Sequence, residues 1–173
     1  SQEQLDKLTE MLAYAPTGVN APSVHLSLVA TRRKMDEIRQ ITCDCLKTVR
    51  ADSPLFIIKE MAEASSKVGK DLVYRGAPAL VAASVDTKTA ASVCQTVDPV
   101  IALSYLELYA ASLGLGTVWD GIAVALAREF PEIEAQFQIP QGCKLSFLMA
   151  LGIPDISYQR TPQRTTDRIT IIR

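Results

Sequence analysis

Ala15-Pro16-Thr17-Gly18-Val19-Asn20-Ala21-Pro22 is the stretch on which the reading of this chain turns. Its prolines and glycine forbid regular structure and supply turn chemistry. Before it, Leu5, Leu8 and Leu12 recur at helical spacing, and Ser1 with Gln4 three residues on fits a capping box. After it, Val24, Leu26 and Leu28 alternate with His25 and Ser27, the period of a strand that carries His25 on one face. Helix, irregular loop and strand therefore follow one another at the start of the chain.

Outward from that loop the same alternation continues. Between Arg33 and Arg50, Met35, Ile38, Ile41, Thr42, Cys45, Leu46 and Val49 share one helical face, with Cys43 on the other side. A second helical stretch starts after Pro54, runs through Met61, Ala64, Val68 and Leu72 to Arg75-Gly76, and is stopped by Pro78. Ala79 to Val85, small and β-branched without interruption, suits a strand buried on both faces. Asp98-Pro99 reads as an N-cap and a first-turn proline, and Val100 to Leu113 is apolar nearly all round until Gly114 closes it. A helix of that kind is enclosed by its own domain or shared with a second subunit, and a dimer core is the economical explanation. Thr117 to Trp119 gives a short strand into Asp120-Gly121, and Leu145 to Leu151 a buried strand ended by Gly152 and Pro154. Tyr158 to Thr166 is basic and polar without period, while Ile169 to Ile172 suits a last strand that crosses to a partner subunit. Without repeat or linker, residues 1–173 form one α/β domain in which helices cover a sheet.

Composition excludes several function classes. With 18 basic and 19 acidic residues there is no basic stripe for nucleic acid. No run reaches the roughly 18 apolar residues of a membrane span, and Ser1 to Glu10 lacks a signal peptide's apolar core, so a cytoplasmic protein is expected. The four cysteines are too scattered for a disulfide framework. Cys43 and Cys45, about 200° apart on a helix, cannot chelate a metal from one face. His25 is the single histidine, which speaks against a metal site and against a serine–histidine relay unless His25 is the base. No stretch matches a phosphate-binding loop. Gly114, Gly116 and Gly121 fail the dinucleotide fingerprint, because the third lies too far along and the run follows a helix where a strand is required.

The loop Ala15 to Pro22 resembles the Ala-Pro-Ser/Thr-Gly-x-Asn loop of FMN-dependent nitroreductases. Leu113-Gly114-Leu115-Gly116-Thr117-Val118-Trp119-Asp120-Gly121 is similar to that family's Gly-Leu-Gly-Thr segment and flavin-facing turn. Leu148 to Pro154, followed by Tyr158-Gln159-Arg160-Thr161-Pro162-Gln163-Arg164, resembles its penultimate strand and the tail of the branch whose members often carry a ferredoxin module. The resemblance implies an α+β fold, a central mixed sheet flanked by helices, in an intertwined homodimer that binds FMN. It implies that Pro16, Thr17, Gly18 and Asn20 reach the flavin of the other subunit, and that Val118, Trp119, Asp120 and Gly121 face the flavin.

Asn20 has the donor and acceptor that a flavin's pyrimidine edge requires. The amides of Asp120 and Gly121 would lie near N5 and the adjacent carbonyl, where negative charge develops on reduction. Family members usually place Arg-Arg-Ser before the first helix to hold the phosphate; this sequence begins at Ser1, so either it is truncated or the phosphate is held differently, with Arg160 and Arg164 then the leading candidates, their forked donors suiting a phosphate. No catalytic side chain is required, since the cofactor carries the chemistry. The donor implied is NAD(P)H or a ferredoxin-like protein, the acceptor a nitroaromatic, quinone or similar small molecule. Two alternatives stand beside it. One is a flavin-dependent dehalogenase-like enzyme on the same fold, for which the lid Pro54 to Lys70 carries no legible signature. The other is a non-enzymatic flavin-binding or interaction domain. Each residue also has a plain reading: Pro16-Thr17-Gly18 a helix stop, Thr17 a loop cap, Trp119 a core aromatic, Asp120-Gly121 an ordinary turn with an idle carboxylate, Arg160 and Arg164 a solvated tail.

Overall fold

The computed structural model describes residues 2–157, 159–164 and 170–172. Along them the chain runs α1 (Gln2–Met11), β1 (Val24–Val29), α2 (Arg32–Thr48), α3 (Phe56–Lys67), β2 (Ala79–Asp86), α4 (Asp98–Ser112), β3 (Gly116–Trp119), α5 (Gly121–Glu129), α6 (Pro131–Glu134) and β4 (Cys143–Gly152). The strands form one sheet in the order β1-β2-β4-β3. All of its ladders are antiparallel, so the mixed sheet expected from the sequence is antiparallel among the described residues. The physical reason lies in the connections, since α2 with α3, and α5 with α6, each return the chain for a strand of opposite direction.

β2 shows how a run of small and β-branched residues still obeys the period of two. Leu80 and Ala82 face a cluster with Met35 and Ile38 of α2, Val124 and Leu126 of α5, and Ile133 of α6. Val81 and Ala83 face the other way, against Leu8 and Met11 of α1 and Leu103 and Leu106 of α4. The result is three layers, α1 and α4 on one side of the sheet and α2, α5 and α6 on the other. Full burial of each leucine, isoleucine, valine or methionine side chain here stabilises the fold by about 1.5–3 kcal/mol.

The α2 face matches expectation: Met35, Ile38, Thr42 and Leu46 are buried, Ile41 and Cys45 pack against the same core, and Thr31 caps the helix by accepting from the Lys34 amide at 3.2 Å. α3 does not extend to Arg75-Gly76. Gly69 at φ 69° turns the backbone left-handed, and the amides of Gly69 and Lys70 close on the carbonyls of Ser66 (2.9 Å) and Ser65 (3.0 Å). Beyond that stop, Asp71 accepts from the amides of Tyr74 (2.9 Å) and Gly76 (3.1 Å) and from Arg39 Nε (2.9 Å), which fixes an irregular turn.

Asp98 is not an N-cap either; Val97 holds that position, and the Asp98 carboxylate is turned to another segment. α5 and α6 occupy a stretch to which the sequence reading assigned no element, although Asp120 as cap and Pro131 in a first turn are their local signals. Ser1 of the capping box and Ile169 of the tail strand lie outside the described residues, and Thr170, Ile171 and Ile172 carry no regular structure.

Candidate functional site

The Pro16 to Asn20 loop is held from below. Gly18 begins a single 3-10 turn, with Val19 and Asn20 at φ 51° and 54°. The Gly18 amide donates to both carboxylate oxygens of buried Asp98, each at 3.0 Å. A β-carbon on Gly18 would stand 2.2 Å from Cys94 Sγ, so no other residue fits without a shift of the loop or of Cys94. Thr17 sits at the head of the turn with no capping hydrogen bond from its side chain. Pro16, Val19 and Asn20 are exposed, which leaves the Asn20 amide group free to meet another molecule.

The second expected segment lies on β3, an outer strand of the sheet. Trp119 Nε1 donates to Glu107 Oε2 at 2.9 Å and Thr117 Oγ1 to Glu107 Oε1 at 3.3 Å, so both side chains face α4. The Trp119 ring meets Phe147 edge-on at 5.2 Å and 65°. Val118 points to the opposite face and is exposed.

Asp120 departs from expectation at both of its groups. Its amide, expected at a flavin, donates to the Leu148 carbonyl at 2.9 Å and extends the ladder with β4. Its side chain, read as idle, caps α5: Oδ1 accepts from the Ala123 amide at 2.9 Å. Oδ2 is buried with no partner among the described residues. Burial pushes the carboxyl up to about 6, opposed by the Ala123 amide and Arg75 and reinforced by Asp71. Gly121, exposed, is the first residue of α5, so its amide has no carbonyl within the helix to meet. A β-carbon there would find only Phe147, at 4.0 Å.

The loop and the β3–α5 turn are not brought together within one chain. The loop leads into β1 and the turn leaves β3, the two outer strands, three strand spacings or roughly 14 Å apart. Arg160 and Arg164 are exposed, and no hydrogen bond or ion pair joins them to other described residues. The sequence reading missed Arg75, which the Asp71 to Gly76 turn brings within electrostatic reach of Asp120 at a backbone φ of 55°. Its signal, Arg-Gly ahead of Pro78, was absorbed into an expected helix end. A cavity of about 580 Å³ between α2 and α3, lined by Thr42, Leu46, Ala62, Leu72 and Tyr74 among others, includes none of the expected site residues.

Among the described residues all four thiols are free, no cluster of three metal-ligating side chains exists, and no helix is long and apolar enough to cross a membrane. α4 presents Val97, Val100, Tyr105, Leu108 and Tyr109 to solvent.

Helices on both faces of an antiparallel sheet, with an open helix start at one edge and a clamped loop at the other, make this an α+β domain with its candidate segments at opposite edges of the sheet. Within that class it belongs to the nitroreductase family, whose model matches residues 1–153. Its fold is shared with a nitroreductase with bound FMN from Bacteroides fragilis NCTC 9343 (TM-score 0.77, 21% identity, 100% of this chain and 88% of that one). A nitroreductase with bound FMN from Desulfitobacterium hafniense DCB-2 is similar at TM-score 0.74 and 21% identity, over 100% of this chain and 88% of that one. An iodotyrosine deiodinase bound to FMN and 3-iodo-L-tyrosine aligns at TM-score 0.63 and 21% identity, over 100% of this chain and 87% of that one. No curated protein sequence matches the chain.

Proposed function

We propose that this nitroreductase-family chain is an FMN-dependent oxidoreductase working as a homodimer, which passes electrons from NAD(P)H or a reduced protein donor to a nitroaromatic, quinone or similar small acceptor. The observation that carries the reading is the split site: an exposed Gly121 amide at one edge of the sheet and an exposed Asn20 on a clamped loop at the other. Neither is a flavin site alone, and a second copy supplies what each lacks. The exposed apolar stripe of α4 is the surface on which two copies would meet.

The residues present fit FMN. Gly121 offers a free amide and open space to the N5 edge, Asn20 of the partner copy both donor and acceptor to the pyrimidine edge, and Val118 an exposed apolar surface. Pro16, Thr17 and Gly18 carry Asn20, Trp119 and Asp120 fix the turn from inside, and Arg160 and Arg164 remain the guanidinium candidates for the phosphate. When bound, FMN supplies the two-electron chemistry, while these residues bind and orient it.

The test is the visible spectrum of the purified protein with its mass in solution. Bound flavin that co-elutes with FMN, near one per subunit in a dimer, supports the reading. A colourless protein that takes up no added FMN leaves the non-enzymatic domain. Iodide release from 3-iodo-L-tyrosine under reducing conditions would favour the dehalogenase-like alternative on the same fold.

A further inference from the structure

Asp120 is 4% exposed, and only one of its carboxylate oxygens has a partner. The groups around it are known from each side. α5 gives the Ala123 amide to Oδ1, β4 takes the backbone amide through Leu148, and the turn before β2 brings Arg75, Asp71 and the buried Tyr74 hydroxyl. A cap of the α5 start needs one oxygen; the second is left buried beside the open amide of Gly121.

We propose that Asp120 is a positioning residue for the FMN ring whose charge state sets how tightly the reduced cofactor is held: its Oδ1 bond orients the first turn of α5, and its unpartnered Oδ2 makes the charge there switchable. This rests on the FMN reading above. A negative charge at the turn opposes the negative charge that arrives on the ring on reduction, and a neutral Asp120 removes that opposition. Burial raises the carboxyl to about 6, so the change of charge falls inside the pH range tested below. Arg75 lies close enough to offset the charge in part but makes no hydrogen bond to it among the described residues.

The experiment compares wild type with Asp120→Asn, which keeps a carbonyl oxygen for the Ala123 amide, by the reduction potential of bound FMN and the Kd for oxidised FMN from pH 5 to 8. The preference for reduced over oxidised FMN is expected to rise roughly tenfold or more in the variant at pH 8, where the like charge of the wild-type carboxylate is removed, and to match wild type at pH 5. A difference that is the same at every pH, or absent, shows a purely structural cap and overturns the proposal. Wild type alone gives a second measurement, the carboxyl resonance of Asp120 followed by carbon NMR. By linkage it must titrate at higher pH with reduced than with oxidised FMN, and an unchanged titration overturns the proposal. Protein that takes up no FMN at all instead overturns the cofactor reading, and this inference with it.

Discussion

Gly18 has no room for a side chain, and that is a stronger constraint than the turn chemistry by which the sequence singled it out. A methyl group would meet Cys94 Sγ at 2.2 Å while the Gly18 amide is bound to Asp98. Gly18→Ala is expected to lose about 1–3 kcal/mol and to weaken FMN uptake as the loop shifts, which thermal unfolding and flavin titration would show. Asp120 yields a signed pH effect. Its carboxyl rises from an ordinary 3.8 to about 6 in the fold, so between those values the native state binds the proton more tightly than the unfolded chain. Its contribution is most favourable at low pH and is lost as pH climbs through about 6, where ionised Asp120 costs about 3 kcal/mol. The stability gain of Asp120→Asn over wild type should therefore grow from pH 4 to pH 7; a gain that shrinks over that range rejects the argument. Tyr74 and Thr42 share a buried hydroxyl contact at 2.7 Å. Tyr74→Phe leaves the Thr42 hydroxyl unpartnered at a cost of about 1–3 kcal/mol, and adding Thr42→Val should recover part of it in a double-mutant cycle. The special residues of this loop and turn were legible in the sequence, but their partners were not. Asp98 looks like a helix cap because spacing reports neighbours along the chain, and its actual donor is on a loop far earlier in sequence.

At the level of elements, the readings that held were those with a strong period. α2 shows its buried face residue by residue, and β2 is buried along its length as an uninterrupted small and β-branched run implies. α3 was drawn too long because Val68 and Leu72 continue its spacing, while the left-handed Gly69 that ends it is a backbone event which side-chain period cannot register. α5 is hidden in the sequence because Asp120-Gly121 carries the cap that a turn and a helix start have in common. α4 is the element that the proposed assembly uses. Its buried side holds Leu103 and Leu106, and its outer side exposes Leu108 at 74%. Leu108→Glu leaves the core side untouched and should halve the mass in solution. In the proposed dimer the flavin site is split between copies, so FMN retention should fall in the same samples; a variant that stays dimeric would move the interface elsewhere.

For the whole molecule, the sheet order matters beyond the site. Among the described residues β4 is the last strand in sequence yet lies between β2 and β3, and none of the ladders is a hairpin. Each pairing must close over intervening helices, a topology of high contact order that favours refolding on the millisecond-to-second scale over the microseconds of a helical bundle. Stopped-flow refolding followed by Trp119 fluorescence should show this slow main phase, and a microsecond phase carrying the full amplitude would contradict it. During synthesis, β1 and β2 leave the ribosome well before the strand that completes them. The apolar flank of β2 then stands as an unpaired edge that can recruit another nascent chain. A polypeptide ended before Cys143 should accordingly be insoluble whatever its flavin content. Yield of the intact protein should depend on translation speed and on chaperones that shield that edge until β4 arrives.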